Sequence, residues 1–112
     1  MPDLEAEDQK LVILARSSRA RIQAAEGAAV RDTDGRTYAA GTVDQPSFKL
    51  TALQAAVAAA LSSGAEGIEA AAVVTGEGLL KEASVHAVRD IAKHAPIILT
   101  DPHGEILQVL NR

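Results

Sequence analysis

The chain has 112 residues, a formal net charge of −4, and a composition that is 47% hydrophobic but only 2% aromatic. That length fits one compact domain over residues 1–112, whose core must be filled by Ala, Val, Leu and Ile. An acidic chain offers no electrostatic footprint for nucleic acid or an anionic membrane surface. No window reaches the ~18 apolar residues that cross a bilayer, and without cysteine there is no disulfide, thiolate nucleophile or sulfur-bound zinc.

The start, MPDLEAEDQK, is acidic and unlike a signal peptide, so a cytoplasmic protein is expected. Asp3 is placed to cap a first helix. Within it Leu11, Leu14, Ala15, Ser18 and Ile22 recur at the spacing of one helical face, which predicts a helix to about Gln23. The arginines of ARSSRARIQ read as a solvated face of that helix. In GAAVRDTDGRTYAAGTV two short runs flank DTDG, and an Asp-Gly pair between alternating residues signals an antiparallel hairpin. DQPSF then supplies a turn, with Ser47 placed to cap a second helix that Ser62, Ser63 and Gly64 close.

GIEAAAVVTG is too continuous to alternate and fits a strand covered on both faces. A third helix is expected from about Leu80 to His94, with Val85, Val88, Ile91 and Ala92 inward. It stops before Pro96, whose ring disfavours helical geometry in the preceding residue. PIILTD reads as a fourth strand, DPHG as a turn and EILQVL as a fifth strand. The order α-β-β-α-β-α-β-β predicts an α/β fold, a three-layer α/β/α sandwich around a five-stranded mixed sheet with right-handed crossovers.

Little of the usual catalytic chemistry is present. His86 and His94 lie about 12 Å apart along the expected third helix and His103 lies in a turn, so the three cannot share an ion. Glu77 and Glu82 have no nucleophile or metal beside them and read as solvent-facing. TGEGLL lacks the spacing of a phosphate-binding loop. Ser17, Ser18, Ser62, Ser63 and Ser84 have no histidine partner at motif spacing.

The order of elements, the EGAAVRDTDGRTYAAGTVDQPSFKLTALQAAVAAALSSG stretch, AAAVVT and HAPIILTDPHGEI together resemble the small, homotetrameric cytidine deaminase family over nearly the whole chain. The resemblance implies a zinc ion held by three cysteines, one at the start of the second helix and two from a P-C-x-x-C motif at the start of the third. A glutamate two residues after the first cysteine shuttles the proton. In this sequence the first cysteine position falls on Leu53 and the glutamate position on Ala55. Counting back without gaps from Pro96 places the other two on Lys81 and Ser84, and no register supplies a cysteine. The phenylalanine and asparagine that the family carries after its first helix correspond to Ala24 and Gln23. Its asparagine and glutamate before the second helix correspond to Thr42 and Asp44.

The resemblance therefore implies a degenerate member with no metal, cofactor or catalytic residue, serving as an oligomeric interaction or scaffold protein. Its first partner would be itself, as a homodimer or homotetramer, with the small side chains of Ala55, Ala56, Ala59 and Ala60 allowing helices to approach. An alternative is a binding module in which Asp44, Lys81 and Ser84 hold a nucleoside or a phosphate-like anion at the former active site. A second alternative is a deaminase-like hydrolase.

Overall fold

Gly35 takes φ +86°, a left-handed conformation that side chains resist, and so closes strand β1 (Glu26–Asp32) onto β2 (Thr37–Gly41). Asp32 fastens this turn. Its Oδ1 accepts the backbone N–H groups of Asp34 and Arg36, each at 2.9 Å, and its Oδ2 accepts the Tyr38 hydroxyl at 2.8 Å. Burial opposes ionisation of Asp32, yet these three donors hold its carboxyl below the usual range.

The computed structural model describes residues 4–111. Helix α1 spans Ala6–Ile22, and the hairpin follows it. The chain then forms a two-residue pairing of β3 (Val43–Asp44) with β4 (Lys49–Leu50), helix α2 (Ala52–Ser62) and strand β5 (Ile68–Thr75). Helix α3 (Glu82–Arg89) and strands β6 (Ile97–Thr100) and β7 (Ile106–Leu110) complete it. The main sheet runs β2-β1-β5-β6-β7. Its one parallel pair is β5 with β6, joined by the α3 crossover; the other neighbours are antiparallel.

Alternation along the central strands builds the three layers. Ala28 and Val30 of β1, with Ala71 and Val73 of β5, face Leu53, Ala56, Val57 and Ala60 of α2 and Val88 of α3. Ala29, Ala70, Ala72 and Val74 point the other way, onto Leu11, Val12 and Ala15 of α1. The five-stranded mixed sheet with helices on both faces is thus as the sequence predicts. No helix among the described residues is long and apolar enough to cross a membrane.

Several local expectations need correction. Asp3, the expected first cap, lies outside the described residues. Ile22 is 54% exposed, because the end of α1 overhangs Gly41 on the edge strand β2, whereas Val12 joins the buried face. Ser47 does not cap the second helix. The β3–β4 pairing delays the helix, and Thr51 caps it. α3 ends at Arg89, so His94 lies beyond it and does not share a helix with His86. The Arg89 guanidinium donates to the carbonyls of Ala92 and Ala95, at 3.0 and 2.8 Å, and thereby ties down the irregular segment before Pro96. Ala56 and Ala60 are fully buried against their own sheet and give α2 no free face there. On β7 the register slips opposite Leu99 and Thr100, leaving Leu107 without a counterpart on β6 and 47% exposed.

Candidate functional site

The amino ends of α2 and α3 meet beside the β3–β4 pairing, around a cleft of about 280 Å³ lined by Thr42, Asp44, Lys49, Thr51, Gln54 and Lys81. Thr51 closes α2 with a reciprocal cap. Its hydroxyl accepts the Gln54 backbone N–H at 3.1 Å, and its own N–H donates to Gln54 Oε1 at 2.9 Å. Ser84, in the first turn of α3 and 1% exposed, donates its hydroxyl to Thr51 Oγ1 at 2.7 Å. The two helix ends are thus bonded directly to each other. Thr51→Ala is expected to cost about 1–2 kcal/mol in a denaturant titration, because it removes the cap and strands the buried Ser84 hydroxyl.

The sequence-derived positions separate into core, floor and rim. Leu53 is fully buried in the hydrophobic core beneath α2, and Ala55 is half-buried on the same helix. Asp44 and Lys81 line one cleft, while Ser84 is reached through Thr51. Asp44 pairs with Lys49 at 3.5 Å, but both side chains are 73% exposed, so this rim contact adds little stability. Ala24 and Gln23 do not line the cleft; Gln23 instead ends α1 in the left-handed region. Glu77 is not simply solvent-facing, since its carboxylate lies 3.1 Å from the Lys81 ammonium. That hydrogen bond, with the Glu26 charge nearby, raises the Lys81 pKa against a smaller opposing effect of burial.

Glu26 is the residue that sequence reasoning missed. It opens β1 next to Gly27 and is 1% exposed, and neither carboxylate oxygen closes a hydrogen bond. Desolvation raises its pKa, with a further push from Glu77. Lys81, the Ala52 N–H at the head of α2 and the Thr75 hydroxyl pull the other way without prevailing. Its backbone N–H donates to Thr42 Oγ1 at 3.1 Å, which places it directly behind the cleft wall. The only sequence signal was an acid at the head of the short apolar run from Gly27 to Val30.

These residues do not fit a zinc ion. Such an ion takes three or four N, O or S ligands, whereas here the matched positions supply an alkyl chain, an ammonium and a hydroxyl already bonded to Thr51. Among the described residues no group of three or more His, Asp or Glu is placed to hold a metal. Glu26 and Glu77 both face Lys81, so its positive charge is already compensated.

A family model described as cytidine deaminase-like matches residues 4–104. Among solved structures, a cytidine deaminase from Burkholderia pseudomallei superposes with a TM-score of 0.80 at 21% identity, covering 91% of this chain and 90% of that one. The cytidine deaminase of Mycobacterium leprae gives 0.69 at 18% identity, with 92% and 95% covered. A mutant cytidine deaminase of Mycobacterium tuberculosis gives 0.69 at 23%, with 93% and 90% covered. At these identities the structures establish a shared fold. No curated protein matches the chain by sequence.

Proposed function

The chain belongs to the cytidine deaminase-like family, and from that premise we propose that it is a cytoplasmic, non-deaminating member that acts by association, chiefly with further copies of itself. One observation carries the reading. Where deamination needs a metal-bound water and a proton-shuttling glutamate, Ser84 and Thr51 bond the two helix ends together above a buried Leu53. A small domain almost without aromatic side chains also gains from burying surface against a second copy.

A second reading is favoured by the cleft itself. Its rim offers the Asp44 carboxylate as an acceptor for a sugar hydroxyl, and its walls carry Thr42, Gln54 and Lys81. Because Glu26 and Glu77 offset Lys81, an uncharged nucleoside suits it better than a phosphate. The purified protein should contain no stoichiometric zinc, should leave cytidine and deoxycytidine unchanged, and should have a light-scattering mass above that of one chain. One zinc per chain, or turnover that follows the protein peak, overturns the non-deaminating reading, and a monomer at all concentrations overturns association. A rise in melting temperature with uridine or cytidine but not phosphate supports the second reading, and no rise with either removes it.

A further inference from the structure

We infer that the inner end of the cleft is a site for a small guanidinium or amidinium compound, whose adjacent N–H groups bond the two oxygens of Glu26. The inference shares only the open cleft with the second reading above and names a different ligand, one selected by a buried residue. Register places Glu26 for this role. Ala28 and Val30 turn toward α2, and Glu26, two residues earlier on β1, turns the same way. Its partner across the sheet is Thr75, the last residue of β5, where the chain leaves for Lys81 and α3. The carboxylate therefore lies under the heads of both helices. Three residues that line the cleft also adjoin it. Thr42 accepts the Glu26 backbone N–H, Thr51 precedes the Ala52 N–H that faces the carboxylate, and Lys81 faces it with its charge. Lys81, with a side chain 37% exposed, is the movable member of this enclosure.

The charges select the ligand. Lys81 Nζ stands 3.1 Å from Glu77, so these two cancel, and the rim residues Asp44 and Lys49 cancel likewise. Whenever Glu26 is ionised, the inner end is thus one positive charge short. Burial raises the Glu26 pKa, which means that the chain on its own makes up the shortfall with a proton. A ligand that replaces this proton must bring one positive charge and a donor for each carboxylate oxygen, since neither oxygen closes a hydrogen bond within the chain. The planar N–H edge of a guanidinium or amidinium does both, with two parallel hydrogen bonds to one carboxylate. Among the described residues too few ligands gather to hold a metal ion instead. A cleft of about 280 Å³ lies at the small end for ligand sites and limits the rest of the compound to a short chain or one small ring. A buried carboxylate left unpaired in the free chain, at a cost in stability, gains its partners when such a ligand binds.

The test is calorimetry and thermal melting with methylguanidine. Urea, which has the same planar donors without the charge, and tetramethylammonium, which has the charge without the donors, are the controls. Methylguanidine at low millimolar concentration should raise the melting temperature, and neither control should. The charged groups that face Glu26 are Lys81 and Glu77, beside the neutral Thr75 hydroxyl and Ala52 N–H. Binding displaces the Glu26 proton, so affinity should rise about tenfold per pH unit up to the raised pKa and level off above it. Glu26→Gln keeps the shape and removes the charge. It should stay folded by circular dichroism, bind at least about tenfold more weakly and lose the pH dependence. Binding that survives Glu26→Gln, or that either control matches, overturns the inference. So does binding by Lys81→Met but not by the wild type, which would make the lysine itself the partner of Glu26. N-acetylarginine amide should bind more weakly than methylguanidine; equal binding would replace the small compound with a peptide arginine. A melting-temperature rise with uridine or cytidine but none with methylguanidine removes this inference and leaves the second reading, and the converse result does the opposite.

Discussion

Gly27→Ala is expected to lower stability by about 3 kcal/mol or more, which for a domain of this size is a fall in melting temperature on the order of 10–20 °C. The cause is the closeness of α1 to β1. A Cβ built on Gly27 would lie 1.9 Å from the Ala15 carbonyl oxygen and 2.7 Å from the Arg19 nitrogen. Both are helix backbone, so no side chain can rotate away, and the helix must lift from the sheet. Lifting it exposes Leu11, Val12 and Ala15 together with the sheet face they cover. Gly67→Ala is the control. There the nearest atom is the methyl of exposed Thr33 at 3.0 Å, which can move, and the expected loss is within about 1 kcal/mol. A Gly27→Ala protein that melts with the wild type would mean that α1 stands farther from β1 than described.

Glu26→Met is expected to act in the opposite sense and to depend on pH. A buried carboxylate with no hydrogen bond costs about 1–3 kcal/mol, and methionine fills a similar volume without that cost. The folded chain holds the Glu26 proton above the ordinary pKa of 4.5, so it binds more protons than the unfolded chain as pH rises beyond that value. Stability contributed by protonated Glu26 is therefore present in acid and lost as pH rises through its raised pKa. Asp32, with a lowered pKa, behaves oppositely: its contribution is present above 3.8 and fades as pH falls through its lowered value. The raised pKa of Lys81 concerns only pH above 10.5. Comparing variant with wild type isolates Glu26. The two should differ least near pH 5, and by pH 8 the variant should melt on the order of 10 °C higher. If the variant instead loses ground as pH rises, Glu26 is ionised and held by Lys81 in a favourable pair.

Residues whose structure is set by near neighbours were legible in the sequence. The Asp34-Gly35 turn is set by Gly35 and by the Asp32 side chain two and three residues away, and the run Ala70 to Val74 is apolar on both faces because helices cover both. The helix starts were less legible. Ser47 and Thr51 are both good caps, and the choice between them is made by the pairing of Val43 with Leu50, which helix periodicity does not register. The length of α3 likewise depends on Arg89 reaching forward to carbonyls it could have left to water.

In the candidate site, the absence of cysteine is read directly from the sequence, and Asp44 and Lys81, both singled out there, line one cleft. The role of Glu26 could not be read. An acid at the start of a strand looks like a surface residue, and only the arrival of α2 and of the loop carrying Glu77 and Lys81 encloses it. Burial of that kind is a property of contacts distant in sequence.

The unmatched Leu107 on β7 has a consequence for solubility at high concentration. The strand ILQVL contains no charge, proline or glycine, and it lies at the open edge of the sheet, where flat and apolar segments template fibrillar stacking. The extra residue breaks the regular ladder near the start of β7 and twists that end of the edge out of plane. It therefore protects the edge as a gatekeeper charge would, through backbone shape. Deleting Leu107 would remove one exposed apolar side chain and still leave a more aggregation-prone protein, because the flattened edge would then present an uninterrupted row of hydrogen-bonding groups to its neighbours.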